Sequence, residues 1–308
     1  MDYIALKTEL SASPLAREVP RRRWFAARVA IHTNPTRERG IPSLTLRASV
    51  RGIWKTALIP LLICISLAMT SCTPSPSSNV SPSTPASNHV PPILLFRGTG
   101  TSANDVAAIE TILKKRQLEY STVDSQQLDG MSQSQLLAHR LLIVPGGDFI
   151  EIGSGLTPGT TANVRQAVEA GLNYLGICAG GLLAGAGPHN NLNLTAGVKF
   201  DFYSDVNQGI HKNAVAISYV DTPPLEHYWE DGPQFTGWGD VVGKYPDGTP
   251  AIAQGTSGKG WVILCGVHPE APENWRTGMN FTTPASVNHA YADTLIDAAL
   301  HRKSLPHY

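Results

Sequence analysis

The stretch Tyr174-Leu175-Gly176-Ile177-Cys178-Ala179-Gly180-Gly181-Leu182-Leu183 passes from strand to helix through a single cysteine. Asn173 to Ile177 is a short apolar run of strand length, and the small residues from Ala179 onward open a helix, so Cys178 stands at the apex of a sharp turn. Such a turn holds its apical residue in a strained backbone. It needs small neighbours on both sides so that strand and helix can approach, and Gly176, Gly180 and Gly181 are small. The helix start offers free backbone N–H groups to a developing oxyanion. The pattern suits a nucleophilic cysteine; a buried structural cysteine at a tight turn is the other reading of this motif taken alone.

Around it the chain alternates. Ile93 to Phe96, Tyr120 to Val123 and Leu141 to Val144 read as strands, separated by helical segments over Ser102 to Arg116, Gln133 to His139 and Thr161 to Ala170. Ser102 and Asp105 stand in N-cap and N3 spacing at the first helix, and Gly171 closes the third. Runs that are apolar throughout belong to strands buried on both faces, so this part predicts a parallel sheet with crossover helices. Beyond about residue 190 strands and turns take over, at Val198 to Phe202, Ala214 to Val220, Val241 to Tyr245 and Gly260 to Cys265, before a last helix over Val287 to Arg302. No internal repeat is present. The expected fold is α/β, a doubly wound, mostly parallel sheet with a β-rich C-terminal half, in one domain over residues 93–303.

Two further motifs accompany the cysteine. Gly266-Val267-His268-Pro269-Glu270 follows a late apolar strand, and Pro269 fixes the backbone so that imidazole and carboxylate can meet. A base held by an orienting acid is what a thiol nucleophile requires, which makes Cys178, His268 and Glu270 the candidate catalytic set. Val144-Pro145-Gly146-Gly147-Asp148 ends the third strand. Unhindered N–H groups of Gly146 and Gly147, with that of Ala179, are the candidate oxyanion hole. Taken singly, a histidine after a strand is more often structural, a Gly-Gly pair is a turn, and an aspartate at a strand end is a cap.

These motifs resemble the class I glutamine amidotransferase superfamily, whose members carry a Gly-x-Cys-x-Gly elbow and a later His-Pro-Glu. Closer still is the biotin-protein ligase N-terminal domain family, known from the front of fungal biotin ligases and from free-standing bacterial proteins. The resemblance covers residues 93 to 303 and rests on Pro145-Gly146-Gly147, Gly176 to Gly181, Tyr228-Trp229-Glu230-Asp231-Gly232-Pro233 and Gly266 to Glu270. It implies a flavodoxin-like fold, with Cys178 as nucleophile, His268 as base and Glu270 as its orienter. Glutamine-hydrolysing members follow the elbow glycine with His-Gln, where this chain has Gly181-Leu182. No ligase catalytic domain follows residue 303 and no synthetase is fused, so neither biotin transfer nor ammonia donation is expected. The expected activity is a Cys-His-Glu hydrolase of a carboxamide or related acyl bond. The alternative is a catalytically silent ligand-binding or scaffold domain of the same fold.

Composition sets the surroundings. At 42% hydrophobic and 16% charged residues the chain is globular, neither collagenous nor disordered throughout. Its equal 24 basic and 24 acidic side chains are unevenly placed: residues 1–71 hold 11 basic and 4 acidic, a net +7, and residues 72–308 hold 13 and 20, a net −7. The acidic globular part argues against a nucleic-acid partner. Ala57 to Ser71 is a 15-residue apolar run preceded by Arg51 and Lys55, short against the roughly 20 residues of a membrane span. Met69-Thr70-Ser71-Cys72 resembles a bacterial lipobox, with Met69 where leucine is usual. Residues 50–71 are thus expected to be a lipoprotein signal peptide and Cys72 the lipidated residue, which puts the protein on a bacterial envelope with the membrane as partner. Residues 1–49, rich in arginine and lacking an apolar period, read as a mis-annotated or disordered basic extension, with Val50 as alternative start. Residues 72–92 form a linker, with six Pro and six Ser in Thr73 to Pro92 and no Asp, Glu, Lys or Arg. The four cysteines make no C-x-x-C pair, and His189, His211, His227 and His289 show no ligand spacing, so neither metal nor cofactor is expected. The substrate is a small molecule or peptide-like compound that the sequence leaves unnamed.

Overall fold

The computed structural model describes residues 89–308. The expected extension, signal segment, Cys72 and most of the linker lie outside the described residues. From Ile93 the chain runs β1 (Ile93–Phe96), α1 (Ala103–Lys115), β2 (Tyr120–Val123), α2 (Ser125–Asp129), α3 (Gln133–Leu136), β3 (Leu141–Val144), α4 (Phe149–Ser154), α5 (Pro158–Ala170), β4 (Asn173–Ile177) and α6 (Ala179–Ala184). The later half is β5 (Asp201–Phe202), β6 (Lys212–Tyr219), β7 (Thr222–Glu230), β8 (Pro233–Gln234), β9 (Asp240–Lys244), β10 (Pro250–Ser257), β11 (Gly260–Cys265) and α7 (Ala285–His301).

Nine strands form one sheet in the order β2-β1-β3-β4-β11-β10-β9-β6-β7. The first five run parallel in the doubly wound, flavodoxin-like order, and the other four are antiparallel, which is the α/β class expected. Alternation along β1 shows why the sheet is covered twice. Ile93 and Leu95 join the core packed with α1 and α7, and Leu94 and Phe96 join the core on the opposite face with α5.

Several elements differ from the sequence reading. The third helix starts at Pro158, not 161, because Thr157 caps it and proline suits the first helical turn. Helices α2 and α4 were not expected, since neither is long enough to show an apolar period; α2 is held by the Asp124–Gln127 capping box and α4 by Asp148, whose Oδ1 accepts from the N–H of Ile150 and Glu151. Strand β7 was also hidden: Pro223 and Pro224 argue against a central strand, but β7 is the sheet edge, where a missing donor costs nothing. The strand expected over 198–202 shrinks to β5, paired only with β8. Packing also continues past residue 303, where Leu305 is buried and the Tyr308 N–H donates to the Val241 carbonyl at 2.9 Å.

Candidate active site

Strand register places the site. Val144 and Leu264 both pair with Gly176, and Cys265 pairs with Ile177, so β3, β4 and β11 end side by side. Their next residues therefore emerge together at the carboxyl edge of the sheet, where doubly wound folds bind ligands. Cys178 follows β4 with φ 49° and ψ −108°, a strained backbone for a residue with a side chain. The turn is tied on both flanks: the Cys178 N–H donates to the Cys265 carbonyl at 2.7 Å, and the buried Tyr174 hydroxyl donates to the Gly180 carbonyl at 2.7 Å. Gly180 allows the helix to lie this close, since a Cβ there would sit 2.0 Å from the Val144 carbonyl oxygen.

His268 sits just beyond β11 with its N–H donating to the Tyr228 carbonyl at 2.8 Å. Its ring Nδ1 lies 2.9 Å from Glu270 Oε1, and both side chains are buried. Tyr228 and Trp275 enclose the ring edge-on. A second carboxylate reaches the same nitrogen, with Asp105 Oδ1 at 3.1 Å. Sequence reading gave Asp105 a capping role at α1. Its backbone N–H does donate to Ser102 Oγ, but its carboxylate turns to His268 while the Ser102 N–H donates to Gly146 O. No local signal marks that choice, because it depends on α1 and the loop after β11 meeting in space.

The electrostatics follow from burial and pairing. Burial pushes the His268 imidazole down, yet Cys178, Glu270 and Asp105 together outweigh it and hold the group well above its ordinary value. Burial pushes Asp105 up, and the His268 charge overrides that and holds it low. For Glu270 burial wins and the carboxyl is raised. Cys265, fully buried with its thiol donating to the Val267 carbonyl, is pushed up by burial.

A cleft of about 440 Å³ opens beside Cys178, with Gly147 and Ala179 on its wall. Neither of their N–H groups has an acceptor among the described residues. Gly146, the third oxyanion candidate, packs instead where Asp105 and His268 meet. Leu182, Phe149 and Ile150 supply an apolar wall, and Glu230 and Asp231 an acidic one. The Cys178 thiol donates to the Glu230 carbonyl at 3.5 Å, and Cys178 and Cys265 are both free. Trp229 is core, packed on Tyr203, whereas Trp275 borders the polar continuation of the cleft with Lys212. Among the described residues Asp105, His268 and Glu270 are the one group whose ligand-type atoms cluster within 4.8 Å. Both carboxylates converge on a single imidazole nitrogen, the arrangement of an acid-oriented histidine.

Residues 92–211 match the family described as biotin-protein ligase, N terminal. No curated protein matches the chain. Similar solved structures include a glutamine amidotransferase at 18% identity, covering 67% of this chain and 99% of that one with a TM-score of 0.47. Another is a glutamine amidotransferase from Thermotoga maritima at 14% identity, covering 70% and 90% with a TM-score of 0.42. A third is an exo-beta-1,4-mannosidase from Opitutaceae bacterium strain TAV5 at 14% identity, covering 67% and 36% with a TM-score of 0.45. The loop at Gly146 and the elbow at Cys178 lie inside the matched segment, and the sheet joins to them the motifs at Tyr228 and His268 that lie beyond it. Over residues 92–211 the chain is thus similar to the biotin-protein ligase N-terminal family.

Proposed function

We propose that the protein is a cysteine hydrolase of a carboxamide or related acyl bond, tethered to a bacterial envelope through lipid on Cys72. The observation that carries the hydrolase is the buried His268–Glu270 pair at 2.9 Å beside a cysteine held at positive φ on the wall of a cleft. With Nδ1 engaged by carboxylate, Nε2 is the nitrogen left for proton exchange. Cys178 Sγ, its proton on His268 Nε2, attacks the carbonyl carbon. The oxyanion meets the unbonded N–H groups of Gly147 and Ala179. The C–N bond breaks as Nε2 passes its proton to the leaving nitrogen, giving a thioester. Water then gives a proton to Nε2 and adds to that carbon, and the C–S bond breaks to release the acid.

A silent binding domain is the second reading, favoured by the Cys178 thiol donating to the Glu230 carbonyl and by Leu182 on the cleft wall. Thiol-reactive acyl probes on the purified protein separate the two. The hydrolase predicts labelling at Cys178 and not at Cys265, none in Cys178→Ala, and a rate lower by about 10²-fold or more in His268→Ala. Equal labelling of the two cysteines, or a rate indifferent to His268→Ala, establishes the binding reading instead.

A further inference from the structure

One imidazole nitrogen faces two carboxylates, and the hydrolase needs only one. Nδ1 carries a single proton, which Glu270 takes at 2.9 Å; Asp105 Oδ1 at 3.1 Å has no hydrogen bond of its own and no other partner. Asp105 is 6% exposed. Burying a carboxylate without a partner costs several kcal/mol, so its charge must be held by something nearby, and His268 is the group there. The meeting is built into the backbone. A Cβ on Gly146 would lie 2.2 Å from Asp105 Oδ1 and 2.7 Å from His268 Cε1, so any side chain at that position would wedge the two apart.

We infer that Asp105 is a second positioning residue for His268, bracketing Nδ1 from the α1 side and keeping the ring turned with Nε2 free for proton exchange. The inference rests on His268 being the base of the proposed hydrolase. The titratable groups facing the ring are Asp105 from α1, Glu270 from the ring's own loop, Cys178 from the elbow, and Tyr228 from β7 with Glu230 accepting from its hydroxyl, while Trp275 covers another edge and carries no charge. Two of these carboxylates touch the imidazole directly, so each stabilises the imidazolium and neither alone determines it.

The test is the titration of His268 itself, followed by NMR of the protein labelled with ¹³C-histidine and assigned with His268→Gln. Removing one of two flanking charges in Asp105→Asn should lower the His268 midpoint by about 1 to 3 pH units. The basic limb of probe labelling at Cys178, where the imidazolium is lost, should move to lower pH by the same amount. Glu270→Gln should act in the same direction. An unchanged midpoint in a folded Asp105→Asn protein overturns the inference, since a merely structural role would lower stability and leave the titration in place. If Asp105→Asn does not fold, Asp105→Ser, which is smaller, gives the same two readouts. A wild-type protein that labels nowhere sinks the hydrolase, yet its His268 still titrates, so the two failures are distinct.

Discussion

His227 shows how far surroundings can move one side chain. It is fully buried in β7, its Nε2 shares a 2.8 Å hydrogen bond with the Tyr219 hydroxyl, and its Nδ1 has no partner. Burial, reinforced by the Arg276 charge, lowers its pKa to about 3. The folded protein thus keeps His227 neutral where the unfolded chain, titrating near 6.5, takes up a proton. Between those values the unfolded state binds more protons, so this group's contribution to stability falls as pH drops below about 6.5. At pH 4.5 it costs the folded state ~2 to 3 kcal/mol relative to pH 7. Urea unfolding of wild type and His227→Gln at both pH values checks this: glutamine keeps a hydrogen-bonding side chain but cannot titrate, so the wild type should lose more on acidification. Parallel losses would show that His227 does not titrate differently on unfolding. His268 has the opposite sign, and its contribution is present at low pH and lost as pH rises through its raised value.

Among elements, β10 carries a fixture that reaches across the sheet to the chain end. Gln254 is fully buried; its Oε1 accepts from the Leu305 N–H at 2.8 Å, and its Nε2 donates to the Leu305 carbonyl at 2.9 Å and to Ser304 Oγ at 3.0 Å. One amide side chain thereby stands in for a missing strand partner, satisfying the backbone of a segment that belongs to no regular element. In Gln254→Leu the Leu305 N–H loses its partner at a cost of about 1–3 kcal/mol, while the Leu305 carbonyl keeps its 2.9 Å contact with His307 Nδ1. Hydrogen exchange should accelerate at Leu305 well before it does in β11. Unchanged protection there would mean that the tail is held by the burial of Leu305 alone. The site, on β3, β4 and β11, should keep its probe labelling in this variant.

For the whole molecule, the proposed tether makes its own demand. An acidic domain with a net −7 over residues 72–308 has no electrostatic attraction to an anionic lipid surface, so attachment must come from the acyl chains. Each buried CH₂ contributes ~0.8 kcal/mol, and several chains on one cysteine anchor firmly where one would be marginal. Intact-mass analysis should therefore find a mature chain beginning at a lipid-modified Cys72, and Cys72→Ser should leave the protein unprocessed or released from membranes. An unmodified N-terminus at Met1 overturns the tether and leaves the hydrolase untouched.

The sequence by itself determined the fold class, because strands buried on both faces must be apolar throughout and strand-to-helix turns must carry small residues. It also placed Cys178, His268 and Glu270 at strand ends, since an elbow and a His-Pro-Glu are local patterns. Only the tertiary structure decided three further things. It put β7 at the sheet edge, where its prolines are harmless. It set Gly147 and Ala179 on the cleft wall while turning Gly146 to the histidine. And it brought Asp105 to His268, 163 positions along the chain. An aspartate at N3 of a helix reads the same whether it caps its own helix or charges a distant imidazole, because local spacing fixes which backbone groups it can reach and only the packing of α1 against the loop after β11 supplies the competitor that wins it.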